Sequence, residues 1–336
     1  MITKIKAENF TAFTNLQMTF GKGINVLIGE NGTGKTHIMK ALYAACYMSD
    51  ERVDTTFDKK LKAVFLPLSI GRLVHRKVGR NSGKISVYRN DVDKDRMLSC
   101  SITTLGRTEI NSRMWKDTKI NATFIPVKDM LANAPGFRSL YAQKELCYEE
   151  VYADIIDKAF LPVPRGKYSA EVRRLLNILS KSMSGKVIVK KETFYLKNKF
   201  GELEFSLLAE GFRKLGLLYT LILNGSLTNG SVLFWDEPEA NLNPKLAKTV
   251  VQILLELQRM GVQIFLSTHD YVLLKELQMA TISKDDIMYH TLYRNQEGDI
   301  LCDSTEVFGD LKINAIDATY ADILDREISN QVKGLW

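Results

Sequence analysis

Ile24-Asn25-Val26-Leu27-Ile28-Gly29-Glu30-Asn31-Gly32-Thr33-Gly34-Lys35-Thr36-His37-Ile38-Met39-Lys40-Ala41 decides how this chain is read. Val26, Leu27 and Ile28 form a short apolar run, as in a buried strand, and the residues from His37 through Ala45 read as a helix. Between them, Gly29 to Thr36 fits G-x-x-x-x-G-K-[ST], with the strand and helix that the motif requires on either side. Gly29, Gly32 and Gly34 let the backbone wrap closely, so that N–H groups of the loop, Asn31 included, face an anion. Lys35 is placed for β- and γ-phosphates, and Thr36 for Mg²⁺. Without its strand and helix, the octapeptide would read as a tight turn carrying a lysine.

Working outward, 336 residues allow one large α/β domain or two lobes. Hydrophobic residues at 45% and charged residues at 25% are ordinary for a globular protein. A formal charge of +7 fits an acidic partner such as nucleic acid without showing one. Cys46, Cys100, Cys147 and Cys302 are far apart with no C-x-x-C, and read as reduced thiols rather than a disulfide or zinc framework. MITKIKAENF has no apolar core of a signal peptide, and the longest apolar run, Leu215 to Leu223, is too short for a bilayer. A cytoplasmic protein with no membrane partner is expected.

Ile2 to Phe20 alternates and reads as a strand pair turning before the phosphate-loop strand. Residues 62–125 are dense in β-branched residues and predict antiparallel strands extending the first lobe, with Asn81-Ser82-Gly83 a hairpin turn between Leu73–Val78 and Lys84–Tyr88. Residues 126–185 predict an inserted helical lobe: one helix over Ser139–Phe160, ended by Pro162 and Pro164, and a second over Ser169–Met183 with Ser169 as N-cap. Across 186–311, strands at Lys186–Lys190, Glu192–Leu196, Glu202–Phe205, Ser231–Trp235 and Val262–Leu266 alternate with helices at Phe212–Asn224 and Lys245–Met260, implying a parallel sheet. A final amphipathic helix is expected in 312–336, with Ile313, Ile316, Tyr320, Ile323 and Ile328 on one side. It would pack on its own domain or serve a partner.

Two strand ends carry the remaining chemistry. Ser231 to Trp235 delivers Asp236 and Glu237, whose side chains alternate in direction: Asp236 toward Mg²⁺ and its waters, Glu237 toward the water attacking the γ-phosphate. Val262 to Thr268 delivers His269 at the edge where open α/β sheets bind ligands, able to hydrogen-bond the γ-phosphate or hold that water. An acidic turn and a structural histidine are the bland alternatives.

In this order and spacing, Gly29–Thr36, Ser231–Pro238, Asn241-Leu242-Asn243-Pro244 and Ser267–Asp270 resemble the Walker A, Walker B, D-loop and H-loop of ABC-type ATPases. The coupling of the N-terminal strands to GENGTGKT resembles the RecF, SMC and OLD branch. Ala209-Glu210-Gly211-Phe212-Arg213-Lys214-Leu215-Gly216 and Phe234 to Asn241 look like stand-alone OLD-like bacterial ATPases, many of them in anti-phage operons. The resemblance implies a P-loop NTPase with an ABC-like two-lobed fold, ATP and Mg²⁺ as cofactors, and a homodimer or higher oligomer in which Gly211 of one subunit closes on the phosphate held by the other. Two residues depart from the pattern. Ala209 stands where the signature serine does, with Arg213 or Lys214 as a replacement charge, and Lys128 and Asp129 occupy the place of the Q-loop glutamine.

The implied function is an ATPase that dimerises on ATP and controls a separate effector, a nuclease or toxin, in defence against phage. Two rivals need the same site: a DNA-repair ATPase acting directly on DNA, and a nucleotide-gated scaffold with little hydrolysis. Arg72, His75, Arg76, Lys77, Arg80, Lys84 and Arg89 would form either a solvated face or a nucleic-acid surface. Asn198-Lys199 lacks the base-reading aspartate of a GTPase. After His269 there is no strand-end glutamate followed by a D-x-D pair, so a nuclease activity is expected on another chain.

Overall fold

The computed structural model describes residues 1–76, 78–91, 94–311 and 315–333. The chain opens with β1 (Ile2–Phe10), β2 (Phe13–Thr19) and β3 (Ile24–Gly29), then α1 (Lys35–Tyr47) and α2 (Phe57–Phe65). Next come β4 (Ser82–Asp91), β5 (Lys94–Thr103), β6 (Thr108–Arg113) and β7 (Ala122–Ile125). The helices α3 (Phe137–Ala142), α4 (Glu150–Ala159) and α5 (Ala170–Met183) lead to β8 (Lys186–Lys190), β9 (Thr193–Asn198) and β10 (Gly201–Glu204). The remainder is α6 (Glu210–Leu223), β11 (Val232–Asp236), α7 (Ala247–Arg259), β12 (Gln263–Thr268), α8 (Tyr271–Ala280), β13 (Ile287–Arg294), β14 (Ile300–Thr305) and α9 (Ala315–Val332).

The central sheet has the order β14-β13-β3-β12-β11-β7, parallel throughout except for β14, which runs antiparallel to β13. Strands covered on both faces need apolar residues at every position rather than alternate ones. Accordingly β3, β11 and β12 are buried from end to end. Ile24, Val26 and Ile28 point into a core shared with α5, α6, α7 and α8, whereas Leu27 joins a second core with α1 and the antiparallel sheet β2-β1-β4-β5-β6. Gln263 ties the two sheets together, accepting from Ile2 N at 2.9 Å and donating to the carbonyls of Ile2 and Gly21, each at 2.8 Å.

Several expectations need correction. Asn81-Ser82-Gly83 is no hairpin turn: β4 starts at Ser82 and pairs with β1 on one side and β5 on the other. Gly83 serves close strand approach, since a Cβ there would sit 2.1 Å from Asn9 O. Lys62 to Phe65 is helical, and β7 joins the parallel sheet instead of the antiparallel one. The helix expected over Ser139–Phe160 is two helices, separated where Lys144 takes a φ of 60°. Ser169 does cap α5, accepting from Val172 N at 3.3 Å. Arg89 is no surface cation: it is fully buried over Trp115 and donates to the carbonyls of Trp115 and Thr118. Lys77, Lys312 and Ile313 lie outside the described residues. In α9 Ile316 is buried and Tyr320 stacks on Tyr271, but Ile323, Leu324 and Ile328 are exposed. All four cysteines are free thiols, and among the described residues no helix is long and apolar enough to cross a membrane.

His290, on β13, lies between Ser304 Oγ at 2.8 Å and Asn25 Oδ1 at 3.3 Å, and burial pushes its pKa down to about 3. The unfolded chain takes up this proton near 6.5, so in the window between the two values the unfolded state binds more protons and stability falls with falling pH. His290→Asn is expected to flatten the stability–pH slope below pH 6.5 by one proton's share, about 1.4 kcal/mol per pH unit, in denaturant titrations at several pH values.

Candidate nucleotide site

Gly29, Thr268 and Asp236 end three neighbouring strands at one edge of the central sheet, where the register pairs Thr268 with Ile28 and Asp236 with Ser267. The loop from Gly29 to Gly34 leaves this edge and feeds α1. Two of its glycines are steric necessities. At Gly29 (φ 148°) a Cβ would meet Leu292 O of β13 at 2.3 Å, and at Gly34 (φ 86°) it would meet the Phe13 ring at 2.4 Å. Asn31 is exposed in the loop. Lys35 is buried, and its Nζ lies inside the loop, donating to Gly29 O at 2.6 Å and Glu30 O at 2.9 Å. Burial lowers its pKa, opposed by the carboxylates of Glu237 and Asp236.

Thr36, at the start of α1, donates its hydroxyl to Asp236 Oδ2 at 2.9 Å. Asp236 is buried, which raises its pKa, and the Thr36 hydrogen bond works against that rise. Among the described residues no cluster of three His, Cys, Asp or Glu side chains could hold a metal by itself. Mg²⁺ usually takes one or two carboxylates and completes its shell with phosphate and water. Thr36 and Asp236 are hard oxygen ligands at hydrogen-bond distance, so the pair fits that ion.

Glu237 adopts a φ of 47°, a conformation uncommon outside glycine, while its N–H donates to Ser267 O at 3.0 Å. This turns the chain sharply after β11 and leaves its carboxylate 3.6 Å from His269 Nδ1. The structure thus brings Lys35, Thr36, Asp236, Glu237 and His269 together at these strand ends. Gly211 is on α6, against Leu242 and Asn241 of the segment after β11, and Asn241 Nδ2 donates to Glu210 at 2.9 Å.

Glu239 and Arg294 escaped the sequence reading, and Lys214 and Arg213 have partners it did not foresee. Glu239 Oε1 accepts from Thr268 Oγ1 at 2.8 Å and from His269 N at 3.1 Å, fixing the histidine's backbone; burial raises the Glu239 pKa. Lys214 is buried and donates to Ala240 O at 2.5 Å and Glu237 O at 3.3 Å, so it faces its own chain rather than standing in for the signature serine. Arg213 reaches Asp129 at 3.6 Å. Arg294, on the unforeseen strand β13, donates to Gly32 O at 3.0 Å. Glu239 and Lys214 sit inside the motifs quoted above, but only the fold reveals their partners.

A family described as "AAA domain, putative AbiEii toxin, Type IV TA system" matches residues 105–275, just over half of the chain. The chain belongs to this AAA-domain family. A second AAA-domain family matches residues 4–146. The DNA replication and repair protein RecF of Streptococcus suis is 32% identical over 147 residues, covering 43% of this chain and 38% of RecF. The DNA double-strand break repair Rad50 ATPase of Methanocaldococcus jannaschii is 30% identical over 97 residues, 27% of this chain and 10% of Rad50. The match thus spans well under half of these relatives. An SMC head bound to the C-terminal winged-helix domain of ScpA superposes with a TM-score of 0.61 at 14% identity, over 93% of this chain and 99% of that one. A Pyrococcus furiosus Smc head gives 0.57 at 14% identity, over 98% and 99%. The fold is that of an SMC-head-like P-loop ATPase.

Lys35→Ala removes the cation inside the phosphate loop and is expected to lower ATP affinity at least about a hundredfold. A fluorescent-nucleotide titration measures this; unchanged affinity would remove Lys35 from the site.

Proposed function

We propose that this protein binds ATP with Mg²⁺, closes into a dimer while ATP is bound, hydrolyses it, and thereby controls a separate effector protein. The observation that carries the reading is the Thr36–Asp236 hydrogen bond at 2.9 Å, with Glu237 and His269 beside it on adjacent strand ends. Thr36 and Asp236 would hold the metal, which supplies charge neutralisation at the phosphates. Lys35 and the loop N–H groups would bind the β- and γ-phosphates. Glu237 would take the proton of the attacking water, and His269 would hold that water or the phosphate. Gly211, near the N-terminus of α6, would meet the nucleotide of a second copy. On this reading, residues 1–336 form one domain, in which 62–125 extend the first lobe, 126–185 are the helical insertion, 186–311 carry the second lobe, and 312–336 add a C-terminal helix.

The effector is proposed to be a nuclease or toxin of an anti-phage operon. The resemblance to OLD-like ATPases supports this, as does a matching family whose description names a toxin of a type IV system. Its hold on the effector would differ between ATP-bound and nucleotide-free forms, because ATP shifts a conformational equilibrium only by binding one state better. Glu237→Gln is expected to keep ATP bound, slow hydrolysis roughly a hundredfold or more, and trap the dimer. Phosphate release and light scattering with ATP read these outcomes. Pull-downs with co-expressed operon neighbours should differ among wild type, Lys35→Ala and Glu237→Gln. Equal capture by all three, or by none, rules out the switch.

Direct action on DNA is the second reading, favoured by the RecF relatives and by the exposed Arg72, Arg76, Arg80 and Lys84. Arg76→Glu with Arg80→Glu is expected to weaken duplex binding and to flatten its dependence on salt. Fluorescence anisotropy checks this, and a wild type that binds no DNA at low salt retires the reading.

A further inference from the structure

A cavity of about 260 Å³ opens away from the phosphate loop, between the C-terminal half of α1, the segment entering β7, and α4. It is smaller than the roughly 300 Å³ at which drug-sized pockets begin, so it has room only for a small molecule. Val53, Ile120, Ala122 and the Tyr43 ring give its lining an apolar part. The rest of the lining is polar or charged, and its charges are unevenly matched. Asp50 pairs with Arg52 and Lys119, each at 2.8 Å. Asp154 pairs with Lys60 at 2.8 Å and accepts from Tyr43 at 2.7 Å, and Asp157 pairs with Arg138. Lys158 stands apart. Its Nζ donates to the neutral amide of Asn121 at 2.9 Å, and among the described residues it has no ion pair.

Asn121 is held in this orientation by its own Nδ2, which donates to Ser226 O at 3.1 Å and leaves Oδ1 for the lysine. Burial pulls the Lys158 pKa down to about 8, with the Asp154 carboxylate one turn away opposing the fall and the Lys119 ammonium adding to it. A carboxylate in the cavity would give Lys158 an anion within direct ion-pair distance. A dianion such as phosphate would face the same three aspartates with about twice the charge, and so about twice the repulsion. A carboxylate accepts up to about four hydrogen bonds, so Asp154 and Asp157 still have lone pairs for a donor.

We propose that this cavity binds a free α-amino acid with an apolar side chain. The carboxylate would meet Lys158, the ammonium would face Asp154 and Asp157, and the side chain would lie against Val53, Ile120, Ala122 and Tyr43. The site is independent of the nucleotide reading, since it shares no residue with the phosphate loop. It does touch α1, the helix that follows this loop, through Tyr43 and Tyr47.

The test is isothermal titration calorimetry of the full chain with L-leucine, isocaproate (the same skeleton without the amine) and isoamylamine (without the carboxylate). Leucine is expected to bind, and each analogue to bind at least about tenfold more weakly, the loss expected for one charge-assisted contact. Lys158→Met should weaken leucine by a similar factor, and Asp157→Asn should weaken leucine but not isocaproate. ATP binding by both variants reports whether they fold; should Lys158→Met fail to fold, Asp157→Asn decides the matter. No heat with leucine, isocaproate binding as tightly as leucine, or unchanged affinity in a folded variant overturns the proposal.

Discussion

The hydroxyl of Thr36 and the carboxylate of Asp236 meet across 200 residues of chain, and the rest of the molecule is arranged so that they can. One begins α1 and the other ends β11, with β12 lying between β3 and β11 in the sheet. Bringing a carboxylate to a buried strand end costs desolvation, visible in the raised pKa of Asp236. A hydrogen bond from Thr36 offsets part of that cost. The strands that carry this burden are buried on both faces, which makes the platform rigid and leaves the variable chemistry to their C-terminal ends.

What the sequence disclosed follows from the same constraint. β3, β11 and β12 are largely apolar runs that stop at polar motifs, so the strands and the motifs at their ends were legible. β13 was not. Ile287 to Arg294 includes a buried histidine that reads as polar until Asn25 and Ser304 are seen around it. Arg89 misled in the opposite direction, because a guanidinium flat on Trp115 with two carbonyl acceptors is satisfied in the interior. Gly83 looked like turn chemistry, yet the glycine answers to the backbone of β1, a neighbour distant in sequence. Pairings of this kind leave no local periodicity to read.

The helices beyond β7 are joined to the phosphate-loop helix by charge rather than by apolar packing alone. Lys40 of α1 pairs with Glu149 at 2.6 Å, and Tyr43 of the same helix donates to Asp154 of α4. Lys60 of α2 lies over the Tyr47 ring at 3.5 Å and reaches both Glu150 and Asp154. Partly buried ion pairs favour one geometry over its neighbours more than they add stability. The helices α2 and α4 are thereby held in register around α1.

Lys214 gives the site a mechanical property. Its stem belongs to α6, whereas its ammonium grips the carbonyls of Glu237 and Ala240. An ammonium withdrawn from water and held by two carbonyls lets go only at the expense of its own solvation. The helix and the turn are thus tied through a single ammonium, so the direction in which the Glu237 carboxylate is aimed depends on where α6 sits.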